Sequence, residues 1–179
     1  MIDNENPVLT DMPAEQVVSA SENQCSAPVS WSPPTASDNC ESPSLVCSHE
    51  IGSTFELGST LVTYSTTDSS ANSSQQSFLV TVVDDQAPQF LQVPESMTVD
   101  SSASLCSAIA EWDDPEVSDN CGSTTLSMSH QSGSMFNVGS TFVTMFLSDS
   151  SGNSSQHSFT ITVIDSEAPI LTGIPTDMT

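Results

Sequence analysis

Sliding the chain along itself by 81 residues lays Pro7 on Pro88, Cys25 on Cys106, Trp31 on Trp112, Cys40 on Cys121, Gly58 on Gly139, Asn72 on Asn153 and Asp84 on Asp165. The superposition needs no gap. A fixed period without insertions is what a chain built from one repeated structural unit produces. Two complete copies fit, residues 1–86 and 87–167. A third opens at 168–179, where "APILTGIPTDMT" matches "NPVLTDMPAEQV" and "APQFLQVPESMT".

Within each copy the apolar residues alternate with period two. "SFLVTVVD" puts Phe78, Val80 and Val82 on one face, and "SFTITVID" does the same with Phe159, Ile161 and Val163. Val62 with Tyr64, and Val143 with Met145, mark a second strand, while Val29 with Trp31, and Ala110 with Trp112, mark another. Alternation of this kind builds half-buried strands, and no stretch carries the three-and-four spacing of an amphipathic helix. Turn formers punctuate the runs: "PPTASDN", "DPEVSDN", "ELGST", "NVGST", "SSANSS" and "SSGNSS". Gly58 and Gly139 fall where the backbone is expected to need freedom. The fold class is therefore all-β: two tandem immunoglobulin-like β-sandwich repeats of 81 residues, about seven short strands each with a central Trp, plus the first strand of a third. The two Trp side chains are expected to fill the core centres.

Charge excludes several function classes. The chain has 0 Lys or Arg against 23 Asp and Glu, a formal net charge of -23. Such a surface repels nucleic acid and anionic membranes, so neither is expected as a partner. No apolar run reaches the length of a membrane span, and the N-terminus lacks the basic and apolar regions of a signal peptide. Five cysteines, four of them on two equivalent positions, point to disulfides and an oxidising, extracellular compartment. Together these features describe a processed or excised piece of a longer secreted or cell-surface protein.

Ser, His and Asp are all present, but His49 and His130 are equivalent positions of a repeat and no G-x-S-x-G elbow occurs, so no catalytic residue is assigned. Carboxylates are better candidates. "VVDDQAP" and "VIDSEAP" place Asp84, Asp85, Asp165 and Glu167 at the repeat junctions, where oxygen ligands suit calcium, the one candidate cofactor; the words resemble part of the linkers of cadherins. Asp38 with Asn39, and Asp119 with Asn120, are read as turn caps. Asn72 and Asn153 open N-x-S sequons in polar loops, and the abundant Ser and Thr admit O-linked sugars, so glycans count among the expected partners.

The order "W-x-x-P-x-x-x-DNC", "F-x-x-G-S-T-x-V-T", "D-S-S-x-N-S-S" and "S-F-x-x-T-V-x-D-x-x-AP" resembles the HYR domain, the hyalin repeat of extracellular matrix and adhesion proteins. The resemblance covers both copies and implies an immunoglobulin-like sandwich, tandem arrays and a structural or adhesive role. Two cysteines of the family's pattern are replaced, by Met12 and Gln76 in the first copy and by Val93 and His157 in the second. The pair that remains maps to Cys25 with Cys40, and Cys106 with Cys121, each closing a loop that contributes about 3 kcal/mol. Cys47, opposite Met128, is left unpaired within its chain.

The expected function is that of an extracellular structural protein, a tandem-repeat segment of a fibre, coat or surface appendage, acidic and free of the Lys and Arg that trypsin-like proteases need. The alternative is the stalk of an adhesin or receptor ectodomain. Expected partners are neighbouring repeats or copies of the chain itself. The opening strand at 168–179 is expected to continue the array or to dock on a neighbouring subunit.

Overall fold

The computed structural model describes residues 3–170. Every regular element among them is a β-strand. They form two compact units, residues 1–86 with 119–122, and residues 87–118 with 123–179. The strand expected at 168–179 lies, from residue 171 onward, outside the described residues.

In unit 1 the frame follows from side-chain alternation. β1 (Val8–Thr10), β2 (Gln16–Ser19), β3 (Ser26–Pro28), β4 (Thr35–Ser37), β5 (Ser44–Cys47), β6 (Thr54–Glu56), β7 (Gly58–Thr67) and β8 (Ser73–Val83) follow in chain order. The long hairpin of β7 and β8 is antiparallel, with Val62 opposite Phe78 and Thr60 opposite Val80. Val62, Tyr64, Thr66, Phe78, Val80 and Val82 are buried along it. The outward positions carry hydroxyls that pair across the strands, Ser59 with Thr81 at 3.0 Å and Thr63 with Ser77 at 2.9 Å. In a chain without Lys or Arg, such cross-strand pairs take the place of surface ion pairs.

The hairpin is flanked by β2, parallel to β8, and by β5, antiparallel to β7, giving the order β2-β8-β7-β5. Two antiparallel pairs, β1 with β4 and β3 with β6, complete the sandwich. Leu9, Ala27 and Phe55 from these pairs join Val62, Phe78 and Val80 in one apolar cluster around Trp31. The Trp31 ring stands edge-on to Phe78, centroids 5.2 Å apart, and to Phe55 at 6.0 Å. Edge-to-face aromatic contacts of this kind contribute beyond the area they bury.

Unit 2 repeats the plan. β9 (Gln89–Gln92), β10 (Met97–Asp100), β11 (Ser107–Ala110), β12 (Glu116–Ser118), β13 (Thr125–Met128), β14 (Ser134–Asn137), β15 (Gly139–Ser148) and β16 (Ser154–Ile164) pair as β10-β16-β15-β13, β11 with β14, and β12 with β9. Phe136, Val143, Met145, Phe159, Ile161 and Val163 form its core, with Trp112 packed against it. Each unit is an immunoglobulin-like sandwich of eight strands rather than seven, because the opening segment breaks into two short strands that join different sheets. Gly58 (φ 106°) and Gly139 (φ 118°) open the long hairpins in the left-handed region, as their sequence positions predict.

Candidate functional site

The long hairpin fixes the two ends of each sandwich. At its tip in unit 1, Asp68 Oδ1 accepts hydrogen bonds from the amides of Ser70 (2.9 Å) and Asn72 (2.8 Å), and its Oδ2 accepts one from Asn72 Nδ2 (2.8 Å). Asn72 Nδ2 also donates to the carbonyl of Asp3 at 3.2 Å. Burial opposes ionisation of Asp68, but the bonds from Asn72, Ser70 and Ala71 together outweigh it and hold the carboxyl below its ordinary value of 3.8. Asp149 in unit 2 is lowered by the same balance, with Asn153 Nδ2 donating to its Oδ2 at 2.8 Å. The two sequon asparagines are thus structural members of the turn lock. Serving in this way keeps the Asn72 amide engaged on both sides.

Beside this tip lies the loop of Cys40. Asp38 Oδ2 accepts the Cys40 amide at 3.1 Å, the turn cap its sequence predicts, and Asp119 Oδ2 accepts that of Cys121 at 2.9 Å. Asp3, Asp38 and Cys40 offer ligand atoms within 4.8 Å of one another. A hydrogen bond to Asp3, then burial and the charges of Asp3, Asp38 and Glu5, hold the Cys40 thiol above its usual value. Oxygen-seeking cations would use the two carboxylates and gain little from a thiol.

Cys25 occupies the opposite end. It directly precedes β3, and its carbonyl accepts the amide of Leu57, the residue before β7 begins. Between Leu57 and the tip runs the whole ten-residue β7, roughly 30 Å of extended chain. A disulfide requires Cα atoms within about 7 Å, so Cys25 cannot reach Cys40. The pairing of Cys25 with Cys40, and of Cys106 with Cys121, is therefore not formed. Cys25 is bonded instead to Cys121, 96 residues away, with Cα atoms 4.8 Å apart. Segment 119–122 packs into unit 1 around this bond: Asn120 Nδ2 donates to the carbonyl of Gln24 and to Asp84 Oδ1, both at 3.2 Å, and Cys121 is buried in the core cluster. Cys40, Cys47 and Cys106 are free thiols.

Cys47 stands in register with Tyr64, whose hydroxyl accepts the Trp31 Nε1 hydrogen at 2.7 Å. Burial raises the Tyr64 phenol above its ordinary value; the Trp31 bond opposes the rise and a hydrogen bond with Cys47 adds to it.

The acids at the strand ends fall into local turns. Asp84 Oδ1 accepts the Gln86 amide at 3.2 Å, and Asp165 Oδ1 accepts the Glu167 amide at 3.0 Å. Asp85 takes the Ser19 hydroxyl at 2.6 Å, and Glu167 the Ser104 amide at 3.1 Å. Among the described residues, the groups of three ligand atoms within 4.8 Å contain none of Asp85, Asp165 and Glu167. Sequence reading missed Asp3 and Asp68; their recurrence 81 residues on, as Asp84 and Asp149, was the signal available.

His49 and His130 lie in the bends that follow β5 and β13, and His157 lies in β16. Ser48 and Ser129 hydroxyls pair with His49 and His130 Nδ1 at 2.8 and 3.0 Å, and each ring packs on a Phe, at 5.2 Å from Phe55 and Phe136. Among the described residues no helix is long and apolar enough to cross a membrane.

The chain is 32% identical over 150 residues to Hyalin of Lytechinus variegatus, covering 80% of this chain and 28% of that protein. It is 33% identical to Hyalin of Strongylocentrotus purpuratus, over 84% of this chain and 13% of that protein. It is also 35% identical to a mouse protein named Sushi, von Willebrand factor type A, EGF and pentraxin domain-containing protein 1, over 74% of this chain and 4% of that protein. The chain thus spans under a third of each relative's length. The HYR domain matches twice, at residues 2–82 and 83–163, and with both sandwiches accounted for, this chain belongs to the HYR domain family.

Proposed function

We propose that the chain is a segment of an extracellular structural protein, whose work is done by stringing sandwiches of one plan into a fibre, coat or surface appendage. The observation that carries this is the repetition of all eight strands, with their pairings, at a constant 81-residue offset. A repeat that preserves its frame without insertions serves a periodic assembly better than a single binding loop does. The absence of Lys and Arg removes every cleavage site of trypsin-like proteases, which suits exposure outside the cell. Partners in this reading are neighbouring repeats and further copies of the chain. Calcium at Asp84, Asp85, Asp165 and Glu167 would relieve the repulsion of the -23 charge, and sugars at Asn72 and Asn153 would add a polar coat, the one at Asn72 displacing one of the two hydrogen bonds its Nδ2 donates.

Electron microscopy of the native assembly tests the reading: filaments or sheets with a regular axial spacing support it, and discrete particles contradict it. Digestion sharpens the test, since the chain should survive trypsin yet yield to a Glu-specific protease once unfolded. The second reading, a stalk, is favoured by the mouse relative, in which the matched region is only 4% of a protein named for several other domain types. A ligand bound by the intact protein through a non-HYR domain would select it.

A further inference from the structure

Charge is distributed unevenly over each sandwich. The four-stranded sheet of unit 1 is built from Gln16–Ser19, Ser44–Cys47, Gly58–Thr67 and Ser73–Val83, and these strands contain no Asp or Glu. The corresponding sheet of unit 2 carries a single carboxylate, Asp100, at the end of β10. Among the described residues the other acids lie in loops and on the short paired strands, such as Glu56 on β6 and Glu116 on β12.

Alternation turns one side of each of these sheets away from the core. In unit 1 that side presents Val17, Val46 and Leu61, each more than half exposed, and in unit 2 it presents Phe142, 70% exposed, with Phe146 further along β15. Between them stand hydroxyls that already bond to one another: Ser59 with Thr81 and Thr63 with Ser77 in unit 1, and Ser140 with Thr162 at 3.2 Å in unit 2. Hydroxyls satisfied within the sheet can be covered without stranding a donor, so burying this side costs little.

We infer that the outer face of the four-stranded sheet, in each unit, is a lateral contact between two copies of the chain, sheet against sheet. Charge selects a second copy as the occupant. Two chains of formal charge -23 repel wherever their carboxylates meet, and opposing these two faces leaves the carboxylates at the rims. A basic partner would be drawn to the acids of the loops and gain nothing here. The strands lie within each repeat, so the pairing uses neither end of the sequence. One such face offers on the order of 450 Å² at the usual strand rise and spacing, below the roughly 800 Å² per partner of a standard interface, so each pairing is weak. The inference deepens the structural reading and fails separately from it: a chain that does not pair sideways can still be a link of a fibre, which electron microscopy decides.

Sedimentation velocity of the 179-residue chain reads the pairing, with its free thiols alkylated so that no new disulfide joins copies. Between about 0.01 M and about 1 M salt the screening length falls from about 30 Å to about 3 Å, and dimers should increase with both salt and protein concentration. Leu61→Asp combined with Phe142→Asp puts a carboxylate on each face and should weaken dimerisation at high salt by about tenfold or more. Leu61→Thr with Phe142→Thr keeps strand-forming residues, should retain the parent's circular dichroism, and should weaken dimerisation in the same direction. Met135→Asp, at an exposed position of the small sheet β11-β14, should leave the dimer unchanged. A parent that sediments as a monomer at both salt concentrations, face variants that dimerise like the parent, or an equal loss in Met135→Asp overturns the inference.

Discussion

The two repeats share a frame and differ in how their central Trp is satisfied. In unit 1, Trp31 donates to Tyr64, which stands against Cys47. In unit 2 the same three places hold Trp112, Met145 and Met128, Met145 is fully buried, and Trp112 Nε1 is buried with no hydrogen-bond partner among the described residues. Another buried position changes in the same sense, Thr66 bonding the Ser44 carbonyl at 2.8 Å where unit 2 has the fully buried Leu147. Alternation is copied while polar wiring is not, so apolar patterning specifies this sandwich and the buried hydrogen bond is an addition to it.

Removing a whole ring should have the largest effect. Trp31→Ala and Trp112→Ala should each cost about 3–5 kcal/mol in their own unit, read as a fall in the lower of two calorimetric transitions. A single transition shifting equally in both variants would show that the units do not melt separately.

Breaking the difference itself comes next. Tyr64→Phe should destabilise unit 1 by about 1–3 kcal/mol, because it leaves the Trp31 N–H buried without an acceptor. The double change Met128→Cys with Met145→Tyr transplants the unit 1 arrangement and should slow hydrogen exchange at the Trp112 indole. If exchange is unaltered, the transplanted hydroxyl has not met the ring nitrogen.

Acid should act on both tips alike. Asp68 and Asp149 titrate below their ordinary value when folded, so their contribution is present above about pH 3.8 and is lost as pH falls through the folded value. Asp68→Asn and Asp149→Asn should therefore differ most from the parent in melting temperature at neutral pH, and the gap should close as pH falls through the folded value. A gap independent of pH would remove the carboxylate from the turn lock.

The smallest expected effect lies one residue before the tip asparagine. Ala71 sits at φ 69° where unit 2 has Gly152 at φ 95°, and nothing lies within 4 Å of a Cβ built on Gly152. Ala71→Gly should stabilise unit 1 by less than about 1 kcal/mol, and Gly152→Ala should cost unit 2 about as much. Chemical denaturation of the paired variants reads the sign.

Strands and buried faces were legible because period-two alternation is a local property: Phe78, Val80 and Val82, and Phe159, Ile161 and Val163, all face inward. Gly58 and Gly139 were legible for the same reason, as turns announce themselves over a few residues. The partner of Cys25 was not. Cys40 is fifteen residues from it in sequence, yet the length of β7 separates the two ends on which they lie, and that is a tertiary fact. The acids behaved likewise. Asp84 and Asp85 are adjacent in sequence but bond to different partners, while Asp3 and Asp38, far apart in sequence, come together.

The most direct test of this account is the disulfide map of the chain, alkylated without reduction and cut by a protease that cleaves before aspartate. Such cuts place Cys25 on 11–37, Cys40 with Cys47 on 38–67, Cys106 on 100–112 and Cys121 on 119–148. The structure predicts that peptide 11–37 is recovered joined to 119–148, with Cys47 alkylated. Recovery of 11–37 joined to 38–67, or of 100–112 joined to 119–148, would restore the pairing within each repeat and contradict the placement of Cys25 and Cys40 at opposite ends of one sandwich.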